Sequence, residues 1–591
     1  MIAARDSGQE RRIERVGAST GFWSSPWRAG GVILALCLIL FLPGLWTIPP
    51  VDRDESRFAQ ASRQMVESGD YILPRVQDKP RLNKPPLIYW LQSASVKVFG
   101  DKEGQYAHGN IWVFRLPSVL CAIASVLLTW RLGTRMFGPH IGALGAALLA
   151  ACPMVIWDAH QARADQLLLT SILATQFALY MVWSSGPGGT GVPPVITSDI
   201  SSPKRAGYLW PAVFWFSLST SLMAKGPVGL MIAALTILTL CITTRSWKWT
   251  LRLRPLLGIL ILAALVGPWV YAVGSRVGWT EYLAIIQKET LGRSTEAAEG
   301  HWGPPGYHLV LLCVLFWPGV LLTGTAVIRA FRTARNPSPA NRATPELFLL
   351  AWALPAWIAF ELISTKLPHY TMPLYPALAI LSARMVLEFG RTMAQNFGDR
   401  LGFAVWGIIG LAGLCGTLIA VARLGGAELG LPGWILVGGL TPLLIGALVI
   451  KGWWATRRND MMRAQTLGVI ALVAWAVVFL GVVLPQSGRI WLSPRLIEAF
   501  NAVEHKRIGL VGFHEDSMIF LSRGRADRLG VESLGEWLKT DGHTVVAIQQ
   551  PLGDKVDAAA RSRLEPLTRI TGVNYSVGKE VTIDLYRKAA P

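Results

Sequence analysis

The chain has 591 residues, of which 52% are hydrophobic and only 16% carry charge, and its mean hydropathy is +0.40. This balance excludes a soluble globular fold of this length and indicates a polytopic membrane protein. The net charge of +19 comes from basic groups scattered between apolar runs, so it does not indicate a nucleic-acid-binding surface.

Apolar runs long enough to cross a bilayer recur along the chain, and we predict about thirteen transmembrane helices. A cytoplasmic tail, 1–29, precedes this transmembrane domain, 30–484, and a small soluble α/β domain, 485–591, follows it. The predicted spans are 30–48, 111–130, 139–157, 166–184, 207–223, 227–243, 255–273, 306–328, 346–362, 371–388, 402–422, 431–451 and 464–484.

The loops that keep clusters of Lys and Arg fall on one side of the membrane when these crossings are drawn. Because cytoplasmic loops retain cations, we expect a cytoplasmic amino terminus and an extracytoplasmic carboxyl terminus. Two long loops, 49–110 and 274–305, then lie on the outer side of the membrane. All six cysteines lie within predicted spans, which argues against a disulfide framework and a zinc ribbon.

The first long loop places a dense group of acids directly after the first span, in Asp52-Arg53-Asp54-Glu55. Asp54 is predicted to be the N-cap of an amphipathic helix with Phe58 and Met65 on its apolar face, and Gly69 ends this helix. We expect the helix to lie in the membrane interface. Acids near a bilayer are costly and usually functional, although a purely capping role for Asp54 stays open.

Cations gather on the same predicted face. Lys84 is held between Asn83 and two prolines, while Lys225 and Lys366 break the positive-inside rule, and Asp165 begins the fourth span. Each residue has an ordinary alternative, as a cap or an interfacial lysine. Together they fit a phosphate held by cations beside a carboxylate that takes a proton from an attacking hydroxyl. If a sugar is attached to that phosphate, the hydroxyl attacks its anomeric carbon.

These motifs resemble the polyprenyl-phosphate-dependent glycosyltransferases of the C-type superfamily, which include protein O-mannosyltransferases and the aminoarabinose transferase that modifies lipid A. The resemblance is carried by five segments in order: Asp54-Glu55-Ser56-Arg57, Asn83-Lys84-Pro85-Pro86-Leu87-Ile88-Tyr89-Trp90, Arg163-Ala164-Asp165, Lys225-Gly226-Pro227 and Lys366-Leu367-Pro368-His369-Tyr370. It implies a membrane enzyme that moves a sugar from a polyprenyl-phosphate carrier to a lipid, glycan or protein acceptor.

The resemblance also implies roles for individual residues. Asp54 is expected to be the catalytic carboxylate, with Asp165 as the second acid, and Lys84 is expected to hold the lipid phosphate with help from Arg293 and Tyr370. The remaining predicted substrate-binding residues are Glu55, Arg57, Lys225, Lys366 and His301.

One departure concerns the donor and a metal. The aminoarabinose transferase has an acid where this chain has Asn83, which puts aminoarabinose and a metal at that position in doubt. We expect no required cofactor, although Glu55, Asp54 and His301 leave a divalent metal open. A transporter or flippase of lipid-linked sugars is the competing class, but no internal repeat is evident. An oligosaccharide ligase or polymerase is the other alternative.

Overall fold

The computed structural model describes residues 23, 25–100, 110–185, 206–288, 303–335, 344–391, 395, 397–539 and 543–589. Eight helices in these ranges are long and apolar enough to cross a membrane, or nine if a pair bent by 61°, Pro139–Ala150 and Pro153–Ala159, is one span. The multi-pass helical architecture is confirmed. Each predicted span falls on helical segments, but several of these are shorter or more broken than a complete crossing.

The helices of the membrane region are α1 Pro26–Phe41, α2 Asp54–Ser68, α3 Leu87–Phe99, α4 Ile111–Phe137, α5 Pro139–Ala150, α6 Pro153–Ala159, α7 Asp165–Ser184, α8 Ala206–Lys225, α9 Val228–Thr244, α10 Pro255–Val277, α11 Trp279–Gln287, α12 Tyr307–Leu315, α13 Thr323–Arg335, α14 Pro345–Leu362, α15 Met372–Phe389, α16 Phe397–Leu424, α17 Leu431–Arg457 and α18 Met461–Gln486. Most are apolar on every face, which is typical of helices that meet lipid on one side and other helices on the other.

Small residues let the central helices approach closely. A Cβ on Gly142 of α5 would lie 2.5 Å from the backbone nitrogen of Thr134 in α4, and one on Gly133 would lie 2.9 Å from the Cα of Gly142. Helices in lipid gain stability mainly from such backbone approach and side-chain packing. Helices α4, α5, α7 and α15 form the buried centre of the bundle, and α10 lies at its lipid-facing edge.

The first long loop forms a compact unit of α2, a short antiparallel hairpin and α3. The hairpin pairs β1 Arg75–Val76 with β2 Lys79–Pro80. The apolar face of α2, with Phe58 and Met65, packs on Tyr89 of α3 instead of facing outward. The predicted helix is therefore present, and its apolar face packs on protein; its place in the membrane interface stays a prediction.

The carboxyl-terminal region begins with α19 Leu492–Asn501 and folds around a five-stranded mixed sheet. The strands are β3 Arg507–Val511, β4 Ala526–Leu529, β5 Thr544–Gln549, β6 Leu564–Asn574 and β7 Lys579–Lys588, with helices α20 Asp516–Leu521, α21 Val531–Trp537 and α22 Ala558–Arg561. The strand order is β4-β3-β5-β7-β6; strands β3, β4 and β5 are parallel, and β6 and β7 are antiparallel to their neighbours.

Candidate functional site

Helix α2 presents Asp54 from its first turn. Arg53, not Asp54, is the N-cap residue, with φ 63° and ψ −117°, so the capping role predicted for Asp54 is wrong. The helix ends, as expected, at Gly69 in the left-handed conformation, φ 73°. A carboxylate in the first turn is stabilised by the positive end of the helix dipole. The side chain of Asp54 is 46% exposed and is available to a ligand.

Arg81 connects Asp54 to the helix α3. Its Nη2 lies 3.2 Å from Asp54 Oδ1, and its Nε donates to the Tyr89 hydroxyl at 3.0 Å, while the guanidinium lies over the Phe58 ring at 5.0 Å. Burial alone would raise the pKa of Asp54, but the positive charges of Arg81 and of three further cations, Arg163, Lys84 and Lys225, hold that pKa below its ordinary value. Asp54 is therefore ionised at neutral pH.

Next to Asp54 lies a group of charges that we call the buried charge cluster: Asp158, Arg163, Asp165, Lys225 and His369. The Lys225 ammonium donates to Asp165 Oδ1 and, at 3.2 Å, to His369 Nε2, which lies 3.5 Å from the same carboxylate oxygen. Arg163 donates to Asp158 Oδ1 and lies 3.9 Å from Asp165 Oδ2. Burial lowers the pKa of His369 to about 3, so the ring is neutral and its Nε2 can accept a hydrogen bond from the Lys225 ammonium.

The cluster joins the ends of helices far apart in sequence. Asp165 begins α7, Lys225 ends α8, and His369 lies between α14 and α15. The Tyr370 ring lies 5.7 Å from the Lys225 ammonium and stands edge-on to His369. The structure thus brings Asp54, Lys84, Asp165, Lys225 and Tyr370 near one another.

Asn83 adds an unsatisfied polar atom beside Lys84. Its Oδ1 is buried and has no hydrogen-bond partner in the described part of the chain. An orphaned buried acceptor costs free energy, which is typical of a place where a ligand completes the bonding.

Three residues predicted to bind substrate have hydrogen-bond or ion-pair partners within the protein. Glu55 is wholly buried, and its two oxygens accept from Arg115 at 2.8 Å each and from the backbone nitrogens of Val51 and Ala162 at 2.7 and 2.8 Å. With four donors around it, Glu55 has no accessible oxygen for a sugar or a metal. The burial of Glu55 therefore argues against the substrate-binding role that we predicted for it.

Arg57 and Lys366 also have partners within the protein, and their substrate-binding roles stay predictions. Arg57 Nε lies 2.7 Å from Asp516 of the carboxyl-terminal region. The Lys366 ammonium is buried and donates to the carbonyl oxygens of Glu361 and Ile363 at 2.8 and 2.9 Å, which satisfies the end of α14. Both cations already have partners that a substrate phosphate would have to displace.

Arg293 and His301 lie outside the described residues, so the structure does not place them. Within the described ranges, no group of three His, Cys, Asp or Glu side chains is arranged to hold a metal ion.

Sequence reasoning missed Arg81, Asp158 and His369. Arg81 lies two residues before the motif that begins at Asn83, and His369 lies within the motif that ends at Tyr370, so both positions were a usable signal. Asp158 offered no signal in the sequence, because an acidic residue at a helix end is common. Its ion pair with Arg163 depends on the turn that joins the two residues.

The sequence and the fold of the chain have known counterparts. Residues 83–271 match the family model described as dolichyl-phosphate-mannose-protein mannosyltransferase. The undecaprenyl phosphate-alpha-4-amino-4-deoxy-L-arabinose arabinosyl transferase of Edwardsiella ictaluri (strain 93-146) is 24% identical over 477 residues, which cover 78% of this chain and 77% of the relative. The undecaprenyl phosphate-alpha-4-amino-4-deoxy-L-arabinose arabinosyl transferase 1 of Pseudomonas fluorescens (strain Pf0-1) is 26% identical over 483 residues, which cover 80% of this chain and 71% of the relative.

Solved structures share the fold over nearly the whole chain. The crystal structure of ArnT from Cupriavidus metallidurans bound to undecaprenyl phosphate aligns with TM-score 0.70 and 18% identity, over 95% of this chain and 98% of the other. An archaeal oligosaccharyltransferase, AglB from Archaeoglobus fulgidus, aligns with TM-score 0.51 and 11% identity, over 95% and 74%. The resemblance predicted from the motifs is confirmed: the chain is similar to the polyprenyl-phosphate-dependent glycosyltransferases of the C-type superfamily, of the mannosyltransferase and aminoarabinose transferase type.

Proposed function

We propose that the chain is a membrane glycosyltransferase that moves one sugar from a polyprenyl-phosphate carrier to a hydroxyl or phosphate of a lipid acceptor, with Asp54 as the base. The observation that carries the proposal is the state of Asp54, whose carboxylate is partly exposed, ionised and close to several cations. An exposed carboxylate can reach a substrate, and the surrounding cations can bind a phosphate that leaves from the same substrate.

The chemistry follows from this arrangement. An acceptor hydroxyl attacks the anomeric carbon, the bond from that carbon to the donor phosphate oxygen breaks, and the phosphate leaves with the electron pair. Lys84, with Arg293 and Tyr370, would hold this phosphate. Asp54 takes the hydroxyl proton, and because its pKa is low it does so late, when bond formation has made the hydroxyl acidic. Attack opposite the leaving phosphate inverts the anomeric centre.

The buried charge cluster would position Asp54 and the donor. Asp165 is engaged with Lys225 and His369, so its role is to fix these groups and the charge near Asp54 instead of moving a proton. We place the site and the carboxyl terminus on the periplasmic face of a bacterial inner membrane, with the amino terminus in the cytoplasm. The clusters of Lys and Arg in the predicted cytoplasmic loops support this orientation.

The test measures transfer by the purified full-length chain in nanodiscs. The donors are undecaprenyl phosphate carrying aminoarabinose and undecaprenyl phosphate carrying mannose, the acceptor is lipid A, and mass spectrometry identifies the product. We expect lipid A heavier by one sugar. Addition of a chain of sugars would indicate a ligase or polymerase, and movement of donor across the bilayer without a product would indicate a flippase.

Asp54→Asn identifies the base. It should lower kcat by about 10²- to 10⁴-fold while undecaprenyl phosphate alone still binds, because a general base contributes that much. Asp70→Asn is the matched control, since Asp70 is in the same loop and pairs with Arg276 at 3.0 Å. It should transfer at nearly the original rate. Full activity of Asp54→Asn, or no product from either donor, would contradict the proposal.

A further inference from the structure

The segment just before Asp54 is held by the carboxyl-terminal domain. The Asp52 backbone nitrogen donates to the Tyr575 hydroxyl at 2.8 Å, and the Ser517 backbone nitrogen donates to Asp52 Oδ1 at 3.0 Å. The Arg53 Nη2 donates to the Ser576 carbonyl oxygen at 2.7 Å. A turn between β6 and β7 therefore touches two consecutive residues that immediately precede the proposed base.

The backbone of Arg53 is strained at this point. Its φ of 63° and ψ of −117° lie in a region that only glycine enters without cost. Such a conformation persists only where the surroundings enforce it. Here the Tyr575 and Ser576 contacts enforce it from one side, and the buried Glu55–Arg115 pair anchors the chain on the other.

This strain matters for the site because Arg53 is the residue at which the chain turns into α2. A change of its φ or ψ rotates the first turn of the helix and moves the Asp54 carboxylate relative to Arg81 and the neighbouring cations. General-base catalysis depends on hydrogen-bond geometry with the attacking hydroxyl, so a small displacement is costly.

We infer that Tyr575 is a positioning residue for Asp54, which acts through the backbone of Asp52 and Arg53. The inference rests on the proposed function, in which Asp54 is the base. It assigns to the carboxyl-terminal domain a part in the reaction: its β6–β7 turn completes the geometry of a site whose charged groups all belong to the membrane domain.

Contacts other than the Tyr575 hydroxyl also hold the carboxyl-terminal domain against the first loop, so the hydroxyl can be removed to test the inference. Arg57 pairs with Asp516 at 2.7 Å, Arg63 donates to the Phe520 carbonyl oxygen at 2.6 Å, and the Gln77 amide donates to the Ala526 carbonyl oxygen at 2.8 Å. The Tyr575 ring itself stands edge-on to Trp491 with centroids 5.8 Å apart, a contact that phenylalanine keeps.

The experiment compares Tyr575→Phe with Tyr586→Phe, a matched change in β7 of the same sheet, whose ring packs in another apolar cluster of the domain. Both are assayed in full-length protein with the donors and lipid A used above. Tyr575→Phe should lower kcat by about 3- to 10-fold, the value of one hydrogen bond, while the donor KM changes by less than about twofold. Hydrogen exchange at the Asp52 amide should become faster. Tyr586→Phe should change neither.

A second comparison tests the backbone conformation directly. Arg53→Ala and Arg53→Gly both lose the contact to Ser576, but glycine adopts the required φ without strain. We expect a higher kcat for Arg53→Gly than for Arg53→Ala.

Wild-type kcat in Tyr575→Phe, a change confined to thermal stability or to the donor KM, or an equal loss in Tyr586→Phe would overturn the inference. So would an Arg53→Ala variant at least as active as Arg53→Gly. If Asp54→Asn abolishes transfer while Tyr575→Phe is unaffected, only the positioning role fails. If Asp54→Asn retains transfer, the proposed function fails.

Discussion

Replacing Glu55 by glutamine should destabilise the protein without removing a substrate contact. Glu55 and Arg115 are both wholly buried and joined by two hydrogen bonds of 2.8 Å. Arg115 also donates to the carbonyl oxygens of Leu45, Ile48 and Pro49 at 3.2, 2.7 and 2.9 Å. The pair therefore connects the segment between α1 and α2, and the first turn of α2, to α4.

The magnitude follows from burial. Glutamine keeps one oxygen but turns an amide group toward the other donors, and it leaves the Arg115 charge buried without a counterion. Breaking a buried, hydrogen-bonded ion pair costs about 3–5 kcal/mol. By contrast, the Arg489–Glu580 pair has the same 2.8 Å distance, but its side chains are 45% and 60% exposed. Glu580→Gln should cost about 0–1 kcal/mol, because water already solvates that pair.

The assay is the apparent Tm of both variants in the same detergent, followed by intrinsic tryptophan fluorescence, together with the donor KM of the folded fraction. We expect a large fall in apparent Tm for Glu55→Gln, a small one for Glu580→Gln, and an unchanged donor KM in both. If Glu55→Gln keeps the original Tm but loses donor affinity, Glu55 contacts the substrate and the reasoning from burial is wrong.

Three further outcomes are expected. Lys366→Met should lower the apparent Tm by the equivalent of about 1–3 kcal/mol through the unsatisfied carbonyls of α14, and the donor KM should stay constant in a donor titration. Gly69→Ala should cost about 1 kcal/mol because its φ is 73°, with the same Tm measurement as the check. Burial and the charge of Glu515 raise the pKa of Asp52 to about 6, so the folded state favours the neutral acid and the charged acid carries a penalty above that pH. Asp52→Asn should therefore raise the apparent Tm over wild type at pH 8, and this advantage should shrink as the pH falls below 6 and vanish only below the ordinary aspartate pKa of 3.8; a pH-independent difference would contradict the assignment.

The sequence by itself determined the class of the protein, the positions of its helices and the residues around which the site is built. Apolar length and the absence of charge are local properties, so they can be read without knowing what a helix touches. The motifs around Asp54, Lys84, Asp165, Lys225 and Tyr370 were likewise local, and their meeting followed from helix ends that share one side. The division of one predicted span into α12 and α13 was not predictable from the sequence. Neighbouring helices can satisfy the backbone hydrogen-bonding groups that such a break leaves unpaired, and the sequence does not show which helices are neighbours.

Only the tertiary structure decided which acid is free to react. Asp54 and Glu55 are adjacent in sequence and have the same predicted surroundings, yet Asp54 is 46% exposed and Glu55 is fully buried. Successive residues on a helix point about 100° apart, so one carboxylate faces the opening while the next faces Arg115 inside the bundle. That difference depends on the rotation of α2 about its axis, which packing against α3, α4 and the carboxyl-terminal domain fixes.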